Sequence, residues 1–592
     1  MIRYDVIPAD PAGHLIEVRL SIPQPDANGQ RLTLPAWIPG SYLIRDFAKH
    51  VVQIGALCNG EAVAIWPVDK DSWQVAPCSG TLEVFCQIYA NDLSVRGAHF
   101  DQHHCFFNGT SLFLQVVGQT DQPVEVVLHA TPHALASNWQ VATTLPRIAV
   151  DENGFGGYRA ENYAQLIEHP VEMGPLRWVE FDACGIPHRM AIYGQGRFDL
   201  ARIAKDLQPI CEAQIRLFGE APFDQYLFLV TVTRDGYGGL EHPDSTALLV
   251  SRKMMPHPYM GETPTQDYLD FLELCSHEYF HAWNIKRIQP ACYQGCDLNQ
   301  PVYTHLLWWF EGATSYYDLR FLLDAGIIDR KTYLKRLAQQ LTRVWRMPGR
   351  HVQSVAESSF LTWTKFYQQD ENAPNAIISY YTKGAAIVLG LDLLIRRHRH
   401  GQRTLDDLLR QLWQRYGTSG VGIEQDTIET LASEVAGHDL SEYFHAVLYG
   451  TEDVPLDQLF PYFGIEFKLR PATGLKDLGG PVEAERFPPN LGVNARTTEQ
   501  KTVRLTHVWH DRPAYFAGLA AGDELIALDG LRLLSTDDLD TALKQYAPGD
   551  VVEISYFRRD ELNTTTVTLD EPPADRVVLD VMAQADARLP LV

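Results

Sequence analysis

The spacing of apolar residues changes twice along the 592-residue chain, and this limits the folds that it can adopt. Up to about residue 160, short runs such as "HLIEVRLSI" and "PVEVVLHA" alternate apolar and polar residues between Gly, Pro, Asn and Asp, as β-strands do. From Tyr268 to about residue 450, apolar residues recur every three or four positions, as in "YTHLLWWFEGATSYYDLRFLLDAG", which predicts helices. After about residue 455, short strands return.

These changes predict a multidomain α+β protein. We expect an N-terminal all-β domain over residues 1–165, a mostly helical domain over 166–460, and a C-terminal region over 461–592 that contains a small β module at about 488–575. The segment between about 165 and 250 adds strands, including "QYLFLVTVT", to the second domain. A chain of this length, 45% hydrophobic, exceeds what one ordinary core holds.

Charge and composition disfavour several classes of partner. The net charge of −24 repels nucleic acid phosphates and anionic membrane surfaces. The first 20 residues lack an apolar run of signal-peptide length, and no stretch reaches the ~20 apolar residues that cross a bilayer. Nine scattered cysteines fit a reducing compartment better than a disulfide framework, and the close pair Cys292 and Cys296 lacks two further ligands at a spacing that suits a metal. We therefore expect a cytoplasmic protein with no nucleic acid or membrane partner.

The stretch "HEYFHAWN", residues 277–284, lies in a predicted helix with its own start signals. Thr263 can cap this helix, Pro264 suits its first position, and Gln266 completes a capping box. The helix is expected to continue through "QDYLDFLELCSHEYFHAWNI" and to stop before Pro290.

On this helix His277 and His281 lie one turn apart, so that their imidazole nitrogens can bind one ion at ~2.0–2.1 Å. Glu278 then points toward the open position of the ion without being a ligand. The alternative is chance, because the chain contains 21 histidines. A third ligand from elsewhere in the chain decides between the two interpretations.

Glu311, in "LWWFEGATSYY", is the first candidate for that third ligand. Large aromatic neighbours would exclude water around it, and a buried carboxylate is costly unless it is paired or bound to a metal. The alternative is a glutamate on the solvent side of its helix. His305 is the other candidate ligand, but it lies six residues earlier and hence on a different face of the same helix.

Two further stretches complete the predicted reaction site. "RDGYGGLEH", residues 234–242, is a Gly-rich turn after a strand, from which Glu241 can project into a cleft and bind the free amino terminus of a substrate. "ISYYTKGAAIVLG" begins a helix with Tyr380, Tyr381 and Lys383, and a tyrosine hydroxyl near a metal-bound carbonyl can donate to the oxyanion that forms on attack. Each of these residues could instead be structural.

The chain resembles the glycyl aminopeptidase family of zinc metallopeptidases, which belongs with the thermolysin-like gluzincins and is distantly related to the aminopeptidase N family. Three stretches carry the resemblance, namely "LPAWIPGSYLIRDF" (34–47), "HEYFHAWNIKRIQP" (277–290) and "LWWFEGATSYY" (307–317). The resemblance implies a thermolysin-like zinc peptidase domain with one zinc ion per chain. It implies a role for the following residues: His277, His281 and Glu311 as zinc ligands, Glu278 as general base, Gly239 and Glu241 in the amine-recognition loop, and Tyr381 as oxyanion donor.

The C-terminal module resembles a PDZ domain through "LGV" (491–493), "RPAYFAGLAAGDELIALDG" (512–530) and the strand "VVEISYFRR". In such a domain Leu491, Gly492 and Val493 would form the loop whose backbone N–H groups bind a chain-terminal carboxylate. The alternative is a β module that only packs on its neighbour.

Together these features predict a zinc-dependent aminopeptidase that removes N-terminal residues from peptides with a free N-terminus. The resemblance adds a preference for glycine or alanine. Two alternatives remain open. One is a zinc endopeptidase assisted by its PDZ-like module, which would cleave N-terminally blocked peptides. The other is a non-catalytic PDZ scaffold, which has no need of the intact residues His277, Glu278, His281 and Glu311.

Overall fold

The computed structural model describes residues 1–484 and 486–582, which form two compact units. The first unit comprises Met1–Val302, Asp324–Ile327 and Trp413–Ile423. The second comprises Tyr303–Leu323, Ile328–Leu412 and the chain from Glu424 onward. Each unit contains a buried hydrophobic cluster of its own.

The first unit begins with the predicted all-β domain, which is confirmed. Alternate residues of its first strand are buried, as the period-2 pattern requires. The strands form an eight-stranded sheet, in the order β14-β15-β12-β1-β2-β8-β4-β5, and two four-stranded sheets, β13-β16-β10-β9 and β11-β3-β7-β6. The elements are β1 (Ile2–Asp10), β2 (Leu15–Ile22), β3 (Arg31–Thr33), β4 (Val51–Cys58), β5 (Glu61–Val63), β6 (Ile65–Pro67), β7 (Ser72–Val75), β8 (Leu82–Tyr89), β9 (Ala98–Phe100), β10 (Cys105–Phe107), β11 (Gln115–Val116), β12 (Val124–Leu128), α1 (Pro132–Ala136), β13 (Gln140–Ala142), β14 (Arg147–Val150), β15 (Gly156–Ala160), α2 (Tyr163–Ile167) and β16 (Val171–Gly174).

A five-stranded mixed sheet and two long helices follow in the same unit. The strand order is β17-β18-β19-β21-β20, so that β20 lies at an edge and pairs antiparallel with β21. The elements are β17 (Arg177–Ala183), β18 (Ile186–Tyr193), α3 (Leu200–Phe218), β19 (Tyr226–Thr233), β20 (Tyr237–Glu241), β21 (Ser245–Ser251) and α4 (Gln266–Phe280).

Helix α4 carries "HEYFH" but has different ends from those predicted. Thr265, not Thr263, is its N-cap, since the Thr265 hydroxyl accepts the N–H of Tyr268 at 3.2 Å. The helix ends at Phe280, well before Pro290. After the helix one turn remains, since the Asn284 N–H donates to the Phe280 carbonyl at 3.1 Å, and the Trp283 ring packs there on Phe218 at 4.9 Å with its indole N–H on the Glu220 carbonyl at 3.1 Å. The chain leaves the helical path at Ile285, whose φ is +106°.

The second unit contains the predicted helical region. In it, the first turns of α6 (Gly312–Asp324) and α10 (Thr382–His398) touch at two glycines, where a Cβ on Gly312 would lie 2.6 Å from the carbonyl carbon of Gly384. Among the described residues, no helix combines the length and the apolar character needed to cross a membrane. The helices are α5 (Leu307–Phe310), α6 (Gly312–Asp324), α7 (Arg330–Trp345), α8 (Val355–Phe360), α9 (Ala373–Ala376), α10 (Thr382–His398), α11 (Leu405–Leu412), α12 (Thr427–Ala436), α13 (Ser441–Phe444) and α14 (Leu456–Leu459).

The predicted C-terminal β module follows in the second unit. Its sheet has the order β23-β24-β25-β27-β28, with β26 paired to β25, while β22 and β29 form a separate pair. The elements are β22 (Ile465–Arg470), β23 (Val493–Thr497), β24 (Val503–Val508), α15 (Pro513–Phe516), β25 (Glu524–Leu528), β26 (Leu531–Arg532), α16 (Thr536–Leu543), β27 (Val551–Arg558), β28 (Glu561–Thr568) and β29 (Arg576–Val581).

Candidate active site

The two histidines of the motif lie at the C-terminal end of α4. The ring centroids of His277 and His281 are 4.8 Å apart. The His281 Nδ1–H donates to the carbonyl of Asn284 at 2.9 Å. This bond places the lone pair of a neutral His281 ring on Nε2, which is the tautomer and the orientation that metal-binding histidines adopt.

Glu278 lies against the backbone of the edge strand β20. It is 6% exposed, and a Cβ built on Gly239 would lie only 2.0 Å from Glu278 Oε1. Any side chain at position 239 would therefore displace this carboxylate. Gly239, which the resemblance implies is part of the substrate loop, also makes room for the predicted base. The contact between Gly239 and Glu278 could not be predicted from the spacing of residues along the chain.

Glu241 is the last residue of β20, so that it projects from a strand end and not from the loop that the glycines predicted. Pairing with β21, where Glu241 lies opposite Thr246, extends the strand through the glycines. The carboxylate is 4% exposed, and its Oε1 has no hydrogen-bond partner among the described residues. Ligand atoms of Glu241, Glu278 and His281 lie within 4.8 Å of one another. The first unit thus brings the predicted base, one predicted metal ligand and the predicted amine anchor together.

A partly buried network of charged and polar side chains supports the residues that follow β20. Lys286 Nζ lies 2.9 Å from Glu168 Oε2, and His242 Nδ1 lies 3.3 Å from the same oxygen. Burial of Glu168 opposes its charged form, but the charge of Lys286 and the bond from His242 outweigh it and lower the Glu168 pKa to about 2. Lys286 follows the α4 motif and His242 follows Glu241. The segment after α4 and the segment after β20 therefore both bind the Glu168 carboxylate.

Glu311 lies in the second unit, at the junction of α5 and α6. Its N–H donates to the Leu307 carbonyl at 2.8 Å and its carbonyl accepts the Ser315 N–H at 2.8 Å, so that the helical path continues through it. Glu311 is 2% exposed, so it is not on the solvent side of its helix. His305, the competing candidate, stacks on Phe360 at 4.6 Å and donates through Nδ1 to the Ala356 carbonyl at 3.1 Å.

Burial distinguishes the two tyrosines before α10. Tyr380 is fully buried and its hydroxyl bonds to Thr362 Oγ1 at 2.9 Å, whereas Tyr381 is half-buried. Lys383 is also buried. Its Nζ donates to the Arg350 carbonyl at 3.1 Å, and burial lowers its pKa to about 8. Of Tyr380, Tyr381 and Lys383, Tyr381 is thus the most accessible.

The predicted carboxylate-binding loop of the β module is a tight turn beside a cavity. Gly492 has a φ of +80°, its N–H donates to Asn490 Oδ1 at 2.9 Å, and its carbonyl accepts the Trp509 N–H at 3.0 Å. The adjacent cavity has a volume of about 110 Å³. Its lining includes Leu491, Gly492 and Val493, and its charged side chains are three arginines, Arg346, Arg512 and Arg576, and two aspartates, Asp540 and Asp575.

Comparisons with known proteins show to which family the chain belongs. Three family models match the chain: the Peptidase M61 N-terminal domain over residues 3–175, the M61 glycyl aminopeptidase over 270–387, and the PDZ domain over 489–569. The crystal structure of an aminopeptidase N family protein from Idiomarina loihiensis is 44% identical, with 99% of each chain covered and a TM-score of 0.96. The protein is therefore a metallopeptidase. This close match and the M61 models mean that the chain belongs to the M61 glycyl aminopeptidase family, and the predicted resemblance is confirmed.

Two more distant structures also match. An M1 zinc metallopeptidase from Deinococcus radiodurans is 13% identical, with 76% of this chain and 95% of that chain covered and a TM-score of 0.45. Yeast LTA4 hydrolase is 12% identical, with 78% of this chain and 70% of that chain covered and a TM-score of 0.47. No curated protein matches the chain.

Proposed function

We propose that this protein is a zinc-dependent aminopeptidase that removes N-terminal glycine or alanine from peptides with a free N-terminus. The observation that carries the proposal is the Glu241 carboxylate, which is buried beside Glu278 and His281 with one oxygen unpartnered among the described residues. A buried carboxylate oxygen without a donor is costly, and the α-ammonium of a substrate is a donor of the right charge. The preference for glycine or alanine rests on the family alone.

We propose that one zinc ion per chain is held by His277, His281 and Glu311. Two neutral imidazoles and one carboxylate form a ligand set that catalytic zinc sites use. The bond from His281 Nδ1 to the Asn284 carbonyl supports this assignment, because it directs Nε2 to a metal. Burial of Glu311 supports it as well. A zinc ion bound by these residues supplies Lewis acidity that activates water and polarises the scissile carbonyl.

Residues of the chain then carry out proton transfer, stabilise the oxyanion and bind the substrate amine. Glu278, held on the backbone of Gly239, takes a proton from the attacking water and passes it to the leaving amine. Tyr381 donates a hydrogen bond to the oxyanion that develops on the carbonyl. Glu241 binds the α-ammonium and so leaves room for one residue on the N-terminal side of the scissile bond. This last contact makes the enzyme an exopeptidase.

Replacing Glu241 by Ala is expected to lower kcat/KM for glycyl substrates by about 10- to 150-fold, which corresponds to the ~1.5–3 kcal/mol of a charge-assisted hydrogen bond. Glu241→Gln keeps the shape without the charge and should lose nearly as much. Zinc content should stay at the wild-type level in both variants. Steady-state kinetics on glycyl and acetylglycyl anilides, with metal analysis, tests the prediction.

The same pair of substrates tests the endopeptidase alternative. A wild-type enzyme that cleaves glycyl and acetylglycyl anilides equally well does not use the amine. In that case the aminopeptidase proposal is wrong, and an endopeptidase assisted by the PDZ domain replaces it.

We also propose that the loop of Leu491, Gly492 and Val493 binds a peptide C-terminus. The adjacent cavity and its arginine side chains support this, because a chain-terminal carboxylate is an anion. A fluorescent peptide with a free carboxylate should therefore bind the full chain more tightly than the same peptide amidated at its end.

A matched pair of variants assigns this binding to the loop. In Gly492→Ala a Cβ would lie 2.2 Å from Arg512 Cβ, so this variant should lose the preference for the free carboxylate. Gly530→Ala, where φ is also positive and the space is open, should keep it. Equal binding of both peptides to the wild type means that the module only packs on its neighbour.

A further inference from the structure

The motif "LPAWIPGSYLIRDF" of the N-terminal domain contains a tight turn at residues 38–41. The N–H of Ser41 donates to the Ile38 carbonyl at 3.0 Å, which closes the turn. Pro39 and Gly40 occupy its central positions, and Gly40 has a φ of +92°. These features are typical of a type II turn, in which proline is common at the first central position and the second central residue has a positive φ.

Neighbouring residues of the first unit hold this turn in place. The Trp37 indole N–H donates to the Gln300 carbonyl at 3.0 Å, and the Ala36 N–H donates to the Leu298 carbonyl at 2.9 Å. Ile38 and Ser41, which flank the two central residues, are both buried. The position of Gly40 is therefore set by bonds on the N-terminal side of the turn and by packing on both sides.

Gly40 lies directly against the carboxylate of Glu241. A Cβ built on Gly40 would lie 2.5 Å from both Oε1 and Oε2 of Glu241 and 2.7 Å from its Cδ. Ordinary contact begins at 3.4 Å, so a methyl group here would have to move the carboxylate by about 1 Å. Both residues also line one cavity of about 550 Å³, which gives a ligand room to reach them.

We infer that the N-terminal all-β domain forms part of the amine-binding subsite, with Gly40 as the residue that positions the Glu241 carboxylate. This inference rests on the proposed role of Glu241. The turn covers one face of the carboxylate. A substrate ammonium must then approach it from the face that Gly40 leaves open. The motif thus has a role in substrate binding although it lies about 200 residues from Glu241 in the sequence.

Gly40→Ala is expected to lower kcat/KM for glycyl anilides by about 100-fold, mainly through KM. A misplacement of about 1 Å in a positioned group has an effect of this size. Zinc content should not change, because Gly40 lies against Glu241 and the proposed ligands are other residues. Kinetics, metal analysis and thermal unfolding are measured on the full-length protein.

Gly118→Ala is the matched control. Gly118 belongs to the same domain and has a φ of +83°, but a Cβ there would meet nothing within 4 Å. This variant carries the same backbone strain without the contact, so its kcat/KM should stay near the wild-type value. Equal losses in Gly40→Ala and Gly118→Ala would overturn the inference, since the contact would then play no part.

A double variant separates positioning from a general structural role. In Glu241→Ala the oxygens that the new methyl group would meet are absent, so adding Gly40→Ala should cause no further loss. An equal loss in both backgrounds would overturn the inference. If Gly40→Ala alone fails to fold, the double variant should fold, and its failure to do so would also overturn the inference. If Glu241→Ala itself keeps full activity on glycyl anilides, the proposed function fails and this inference fails with it.

Discussion

Glu278→Gln is expected to lower kcat by about 10²- to 10⁴-fold, which is the range that general acid–base catalysis contributes. The amide matches the carboxylate in size, so it can keep its place on Gly239, but it cannot take a proton from water. Because Glu278 is not among the proposed ligands, zinc content and thermal stability should remain at wild-type values. Steady-state kinetics on glycyl anilides, with metal analysis of the same samples, measures all three quantities.

The control for this variant is Glu273→Gln, which makes the same chemical change earlier on α4, at a half-buried position. Its kcat should stay near that of the wild type. Activity of Glu278→Gln close to the wild-type level would rule out the base assignment. Loss of zinc from that variant would instead make Glu278 a ligand.

Glu311→Ala is expected to weaken zinc binding by more than 100-fold and to abolish turnover in the presence of a chelator. Changes in residues that only support a ligand already cost 10- to 100-fold in metal affinity, so the loss of a ligand should exceed that range. The measurement is competition for zinc between the protein and a chelator of known affinity. Full zinc occupancy at unchanged affinity would remove Glu311 from the ligand set.

His305→Ala serves as the control for the third ligand. In the structure this ring stacks on Phe360 and bonds to the Ala356 carbonyl. The variant is therefore expected to keep its zinc affinity and to lose some stability. If it loses zinc while Glu311→Ala retains it, the assignments of the two residues must be exchanged.

The order of the domains could be predicted because burial imposes a period on the sequence. Strands that bury one face alternate apolar residues, as in β1, and packed helices repeat them every three or four positions. The ends of α4 could not be predicted in the same way. Two threonines near its start can each cap a helix. After its end the chain turns at Ile285, a residue type that rarely has a positive φ, beside contacts of Trp283 with the distant residues Phe218 and Glu220.

The candidate site was predictable to a different degree at each residue. His277, Glu278 and His281 are close in sequence, so helical spacing alone predicts that they share a face. The contacts of Gly239 with Glu278 and of Gly40 with Glu241 join residues that are about 40 and 200 positions apart. Such contacts depend on how sheets and turns pack, so a local sequence pattern cannot predict them.

The contact between the first turns of α6 and α10 also bears on how this part of the protein can move. Glu311 directly precedes Gly312, and Tyr381 lies three residues before Gly384. Since the two backbones touch at these glycines, no side chain lies between them that could change rotamer and let the helices slide. The backbone segments that carry Glu311 and Tyr381 are therefore in direct contact, and we expect them to move together.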